Sequence, residues 1–296
     1  MAILAADLPG QDDAGRLTDV LYRRCYMHSI LDPPAAANDG TIDRDLTSIL
    51  IAANASRAAW DEGWRIDQLL DEGRILARKG GAARSFLPGE YLTQRGLGAG
   101  PEAGKPVSIF LPGGSADMQA GLYHAFGDTA GEFEDSEQIL RFYWNVSVEG
   151  APRLMEAVTR DFNRFQIAFQ FKCGTRAAHY PRRDAAVLYL HRRHYAIATL
   201  LVERVHLGLR AWLNTGTPLF ARHLADGLGF AEDPGDSFGK HRCKILAAAM
   251  AATRGEPPEE RLREVRRQFE RRGLSLDRPW LNAGSVDRYE FPFPVV

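Results

Sequence analysis

Lys172 lies in the stretch IAFQFKC, where Ile167, Phe169, Phe171 and Cys173 alternate with Gln170 and Lys172. In a β-strand successive side chains point to opposite faces, so the lysine shares a polar face with Gln170 while the apolar set faces a core. A lysine shielded from water and set among arginines gives up its proton more easily and can act as a general base near neutral pH. A lysine guarding an edge strand against aggregation would leave the same pattern.

The arginines are the second feature. Between Arg176 and Arg210 lie Arg176, Arg182, Arg183, Arg192, Arg193, Arg204 and Arg210 against only Asp184 and Glu203, a local charge of +5. The guanidinium fork binds phosphate oxygens in pairs, so a phosphorylated ligand fits such a patch. A solvated helix face accounts equally for Arg192, Arg193, Arg204 and Arg210. Arg182 differs because it stands in YPRRD, a proline-shaped turn leading into a strand. A second basic cluster, DSFGKHRC, runs from Asp236 to Cys243 at an expected helix start. Free backbone N–H groups attract anions there, and Lys240 and Arg242 add full charges. His179 and His241 neighbour the two clusters and are candidate acids. His191, His194 and His206 read as surface or packing residues.

These groups need elements to hold them. RFYWNVSV (Arg141 to Val148) alternates, with Phe142, Trp144, Val146 and Val148 on one face and Arg141, Tyr143, Asn145 and Ser147 on the other. Pro152 opens a helix striped by Leu154, Val158, Phe162 and Phe165. Then come the Lys172 strand, a third strand at Ala186 to Leu190, and a helix from His191 to about Leu213. Further helices are expected from Ser237 to Ala252 and from Pro257 to Arg272, the last closed by Gly273. The order predicts an α+β fold, a mixed or antiparallel sheet packed with helices. Residues 1–100 read as a mostly helical region on that core, with helices at Arg16–Tyr26 and Asp43–Ala59 and short strands after Gly73. Residues 101–296 form the core unit, and a loop at Leu97–Lys105 is the boundary candidate. The aromatic, proline-rich tail from Arg278 to Val296 is expected to pack as an extended strand.

Composition sets the limits. The chain has 296 residues, 45% hydrophobic and 25% charged, as in soluble globular proteins. The formal charge of -1 offers no global attraction to nucleic acid or anionic lipid. Three widely spaced cysteines fit a reducing compartment, and no signal peptide or membrane span is legible, so a cytoplasmic location is expected. No phosphate loop, HExxH or GxSxG motif is present, and RGLGAG lacks the dinucleotide-binding spacing.

The ordered set RFYWNVSVEGAPRLMEAVTRDFNRFQIAFQFKC, YPRRDAAVLYL and TPLFARHLADGLGFAEDPGDSFGKHRC, with LYRRCYMHSI before it and WLNAGSVDRYEFPFP after it, resembles the HopA family of bacterial type III effectors. Homologues of that family are similar to the lyase component of class V lanthipeptide and thioamitide biosynthesis. There a kinase-like partner phosphorylates Ser or Thr of a precursor peptide, and the lyase eliminates the phosphate to leave dehydroalanine or dehydrobutyrine. A distant likeness to phosphothreonine lyases implies a lysine base, a histidine acid and arginines on the phosphate, with no metal or cofactor. On matching positions the base role falls on Lys172 and the phosphate roles on Arg182 and Arg242, with Arg141 weaker and Lys240 adding charge. Tyr143 stands where those lyases carry histidine, so Tyr143, His179 and His241 compete as the acid. The alternative is a non-catalytic phosphopeptide- or kinase-binding subunit, or an effector-like interaction module, using the same arginines without the lysine.

Overall fold

The computed structural model describes residues 2–6, 8–9, 13–31, 43–80, 82–93, 100–131, 133 and 135–292. Helices α1 (Ala2–Ala5) and α2 (Ala14–Leu21) lead into a π-helical turn at Tyr22–Tyr26, and α3 spans Thr47–Ala53. Asp13 caps α2 by accepting from the Gly15 and Arg16 amides, as an N-terminal aspartate should.

Two antiparallel sheets follow. The smaller holds β1 (Ala59–Leu69), β2 (Ile75–Lys79), β3 (Ala82–Phe86), β4 (Tyr91–Thr93) and β5 (Pro106–Leu111) in the order β3-β2-β1-β5-β4. It encloses its own cluster around Trp64, Ile66, Ile75, Val107 and Ile109. The larger sheet is built from β6 (Gly114–Ser115), β7 (Leu122–Phe126), β8 (Ile139–Trp144), β9 (Phe169–Gly174), β10 (Ala186–His191), β11 (Arg222–Ala225) and β12 (Leu228–Glu232). Its order is β11-β12-β8-β10-β9-β7-β6. The remaining helices are α4 (Ala151–Arg164), α5 (Tyr195–Leu209), α6 (Phe238–Ala252) and α7 (Pro258–Glu270).

The alternation read from the sequence decides how the large sheet is sandwiched. Phe142, Trp144, Phe171 and Leu188 face a core shared with α3, α4 and α5 through Leu50, Leu154, Val158 and Val202. Tyr143 and Val187, on the other face, join a second core with α2, the π turn, α6 and α7. The polar face of β8 is therefore covered: all six residues of the strand are buried.

The α+β expectation holds, with both sheets antiparallel. Corrections lie mainly in the first hundred residues. The helix expected at Asp43–Ala59 is only Thr47–Ala53, and residues 59–93 form β1 to β4. The short strands expected after Gly73 are present as β2 to β4, whereas β1, which buries Trp64 and Ile66, falls where only a mostly helical region was expected. β5, beyond the expected boundary, pairs with β1 and β4. Of the boundary loop at Leu97–Lys105, residues 97–99 lie outside the described residues. The tail packs through Trp280, Leu281, Tyr289 and Phe291 but joins neither sheet, and residues 293–296 lie outside the described residues. Among the described residues, no helix is long and apolar enough to cross a membrane.

Phe142 is fully buried and packs on Phe230, Trp144 and Phe291. Replacing it by Ala should cost about 3–5 kcal/mol in urea unfolding. Phe165, 46% exposed at the C-cap of α4, should cost no more than about 0.5 kcal/mol when changed to Ala. Equal costs at the two positions would contradict this account of the core.

Candidate functional site

The register of the large sheet assembles the site. Val187 on β10 stands opposite Tyr143 of β8 on one side and Lys172 of β9 on the other. Lys172 in turn faces His124 of β7. One row across four strands thus reads Tyr143, Val187, Lys172, His124. The next row on the same face holds Arg141, Tyr189, Gln170 and Phe126. Neighbouring strands lie about 4.8 Å apart, which puts Tyr143 and Lys172 about 10 Å apart at the backbone, with side chains able to converge.

They converge on a cavity of about 270 Å³. Its floor carries Arg141, Tyr143, Lys172 and Tyr189, its rim His179, Arg182 and Asp184, and its roof Tyr22, Tyr26 and the start of α6 at Ser237 and Phe238. The π turn sets Tyr22 and Tyr26 in a parallel stack, centroids 5.3 Å apart, over this face. Such turns recur at functional sites because they re-aim side chains within a helix. Gly239 lets α6 approach them, since a Cβ there would lie 2.5 Å from the Tyr26 ring.

Five of the seven expected residues meet here: Lys172, Tyr143, His179, Arg182 and Arg141. The Lys172 Nζ and the Arg141 guanidinium carbon lie 5.3 and 5.1 Å from the centroid of the same Tyr189 ring. Arg141 is anchored by Nη2, which donates to Asp233 Oδ1 at 2.6 Å and to the Asp236 carbonyl at 2.7 Å. Its Nε is buried without a partner among the described residues. Arg182 grips Asp184 with Nε and Nη2, both at 2.9 Å, and Nη2 also reaches the Tyr22 hydroxyl. Burial works against the Arg182 charge, but the Asp184 contact outweighs it and raises the pKa. Three cations against one lining carboxylate leave the cavity positive, as an anion site requires.

The Tyr143 hydroxyl is buried with no hydrogen-bond partner among the described residues. Burial raises its pKa, so it keeps its proton at neutral pH. His179 is shifted the other way, first by burial and then by Arg182, which favours the neutral ring. It fits only because residue 174 is glycine: a Cβ there would sit 2.6 Å from that of His179.

Arg242 is placed elsewhere, which corrects its expected part in this cluster. It is fully buried, with Nε and Nη2 donating to the Pro279 and Leu281 carbonyls at 2.8 Å, and it lines a different, larger cavity. The tail captures its guanidinium. His241 accompanies it there, with Nδ1 2.6 Å from Arg242 Nη1. Lys240 is exposed and stands at the rim, 5.9 Å from the Tyr22 centroid. Among the described residues no cluster of three or more histidine, cysteine or acidic side chains is placed to hold a metal ion.

Several residues of the site escaped the sequence reading. Tyr22 and Tyr26 sit in a segment read as an ordinary helix, and Tyr189 lay on a strand read only for its core. His124 lay in residues 111–140, which offered no long alternation. Its Nε2 is buried and unpartnered beside Lys172. Burial first, then the Lys172 charge, lowers its pKa to about 4.

This shift has a direction in pH. The unfolded chain binds a proton at His124 near pH 6.5 and the folded one only near pH 4, so the unfolded state gains protons in between. Stability should therefore fall as pH drops from about 6.5 towards 4, and His124→Gln should make that slope shallower in thermal melts. A slope unchanged by the substitution would show that His124 is protonated in the fold.

Comparison with known proteins places the chain. The HopA1 effector protein family matches residues 114–281, which span β6 to α7 and the whole floor of the cavity. Among solved structures, the effector protein from Pseudomonas syringae pv. tomato strain DC3000 is 23% identical, with a TM-score of 0.45, over 54% of this chain and 62% of that one. The effector protein from Pseudomonas syringae pv. syringae strain 61 is 20% identical, with a TM-score of 0.43, over 56% and 66%. This chain thus matches less than two thirds of the length of either structure. No curated protein matches it. With the family match running over more than half of its length, the chain belongs to the HopA1 effector protein family.

Proposed function

We propose that the chain is a phosphoserine or phosphothreonine lyase that eliminates phosphate from a peptide. The observation that carries this reading is the convergence of Lys172, Tyr143, Arg141 and Arg182 on one small cavity with a net positive lining. A phosphate dianion would sit between Arg141, whose Nε is unengaged, and the side of the Arg182 fork turned away from Asp184. Charge-assisted contacts of this kind are about twice as strong as neutral ones.

In the reaction, Lys172 Nζ takes the proton from the α-carbon. The C–H electron pair becomes the Cα=Cβ double bond, and the Cβ–O bond breaks with its pair leaving on the phosphate oxygen. Arg141 and Arg182 stabilise the charge that builds on the leaving group, where preorganised donors act most strongly. Tyr143, which keeps its proton, donates to the departing oxygen. His179, held neutral, packs on Gly174 and Gly121 and shapes the rim beside Arg182. Lys240 adds attraction at the entrance. Asp184 and Asp233 are positioning residues that fix the two arginines.

The products would be phosphate and a peptide bearing dehydroalanine or dehydrobutyrine. In this reading the substrate is a precursor peptide phosphorylated by a kinase-like partner in the cytoplasm, and the modified peptide is a ribosomal natural product.

Lys172→Ala should abolish elimination from a phosphoserine peptide while leaving peptide binding within about twofold, because the phosphate contacts remain. Mass spectrometry then shows the intact phosphopeptide. Release of phosphate at the wild-type rate removes Lys172 as the base, and recovery of the serine peptide instead of the alkene marks hydrolysis. Arg182→Lys keeps the charge but loses the fork, so KM should rise by about tenfold or more.

A further inference from the structure

The larger cavity, about 860 Å³, is used by none of this chemistry. It lies behind the Arg141–Asp233 pair: Asp233 lines it, while Arg141 lines the smaller one. Its walls come from α6 at His241 and Arg242, from the chain after α7 at Arg272, from Arg192 before α5, and from the tail at residues 282–289.

The charges of this lining do not balance. Arg192 donates Nη2 to Glu232, which is fully buried and also accepts from the Tyr289 hydroxyl and the Asn282 amide. Asp233 is engaged by Arg141. Arg242, Arg272 and Arg288 line the cavity with no carboxylate partner among the described residues. Arg242 is the informative one, because it is 0% exposed and its side-chain hydrogen bonds go to two backbone carbonyls and a histidine. Carbonyls satisfy its N–H groups but supply no counter-charge, and a buried cation without one is costly. Burial lowers its pKa to about 10, aided by the Arg141 charge and only partly offset by Tyr143 and by Glu232, which is not in hydrogen-bonding contact with it. His241 presents Nδ1 to an arginine that can only donate, so its proton belongs on Nε2. Arg192 apart, the arginines of this lining thus have no carboxylate ion-pair partner among the described residues.

The tail that forms one wall adds a second feature. Among the described residues, 283–288 make a single backbone–backbone hydrogen bond, from the Ser285 amide to the Asn282 carbonyl. Val286 beside it is 64% exposed. That bond closes a turn at 283–284; past it, the backbone of residues 286–288 makes no hydrogen bond to other backbone among the described residues, and unengaged amides and carbonyls are where an extended chain can pair.

We propose that this cavity binds an extended acidic polypeptide segment, its carboxylates set against the exposed Arg272 and Arg288, over the buried charge of Arg242, and its backbone along residues 286–288. A cavity of this size exceeds what one small anion needs, and the unpaired backbone is what a peptide, rather than a nucleotide, would use. The inference is independent of the elimination chemistry.

The test is fluorescence anisotropy with a short labelled peptide alternating Glu and Val, beside one alternating Gln and Val. The Glu peptide should bind at least about tenfold tighter and weaken as salt rises. The double substitution Arg272→Glu with Arg288→Glu, at exposed positions, should cost about tenfold or more in affinity. The milder Arg272→Gln with Arg288→Gln should fall between, and circular dichroism melts check that both variants fold. Elimination from a short phosphoserine peptide without acidic residues should be unchanged in both. Equal affinity for the two peptides, or wild-type affinity in the Glu double variant, overturns the proposal. So does stabilisation by inorganic phosphate that depends on Arg272 and Arg288 while the Glu peptide fails to bind.

Discussion

The antiparallel register that sets Val187 between Tyr143 and Lys172 is the constraint on which the remaining site geometry depends. A slip of one residue on either side would turn the lysine or the tyrosine into the aromatic core, because side chains alternate along a strand. The register is enforced from the opposite face, where Phe142, Phe171 and Leu188 fill the core against α4 and α5. Packing on one side of the sheet therefore fixes chemistry on the other. Tyr189, two residues along β10, then places one aromatic ring against both the lysine and Arg141.

The start of α6 divides the cationic groups between two cavities. Ser237 and Phe238 close the smaller one, whereas His241 and Arg242 turn to the larger. The Arg242 guanidinium lies 5.0 Å from the centroid of Phe238, so the two stand on one side of the helix at successive turns. What separates them is the tail, whose Pro279 and Leu281 carbonyls capture the arginine. Asp233 joins the halves: it holds Arg141 for one cavity and lines the other.

The parts of this arrangement that sequence made legible are those with strict local periodicity. The alternation in β8 and β9 placed Arg141 with Tyr143 and Gln170 with Lys172, and the turn before β10 marked Arg182. The α+β class and the helices after Pro152 and Ser237 followed from the same signals. The misplacement of Arg242 has a non-local cause, since its partners lie 37 and 39 residues away. His124 was hidden on a five-residue strand whose place in the sheet depends on pairing with β9. Tyr22 and Tyr26 would share a helical face at their spacing, but nothing local indicates that α6 packs beside them through Gly239. Of the first sheet, β1 was missed because its apolar residues are few and broken by charges, and it exposes most of its length.

The central claim is that one peptide phosphate sits on the sheet face between Arg141 and Arg182 with its α-carbon towards Lys172. A crystal structure of the Lys172→Ala protein with a phosphoserine peptide tests it directly. The account predicts phosphate oxygens within hydrogen-bonding distance of Arg141 Nε and the Arg182 guanidinium, and the peptide α-carbon facing position 172. Phosphate bound instead beside Arg242 in the larger cavity, with the smaller one empty, would contradict it.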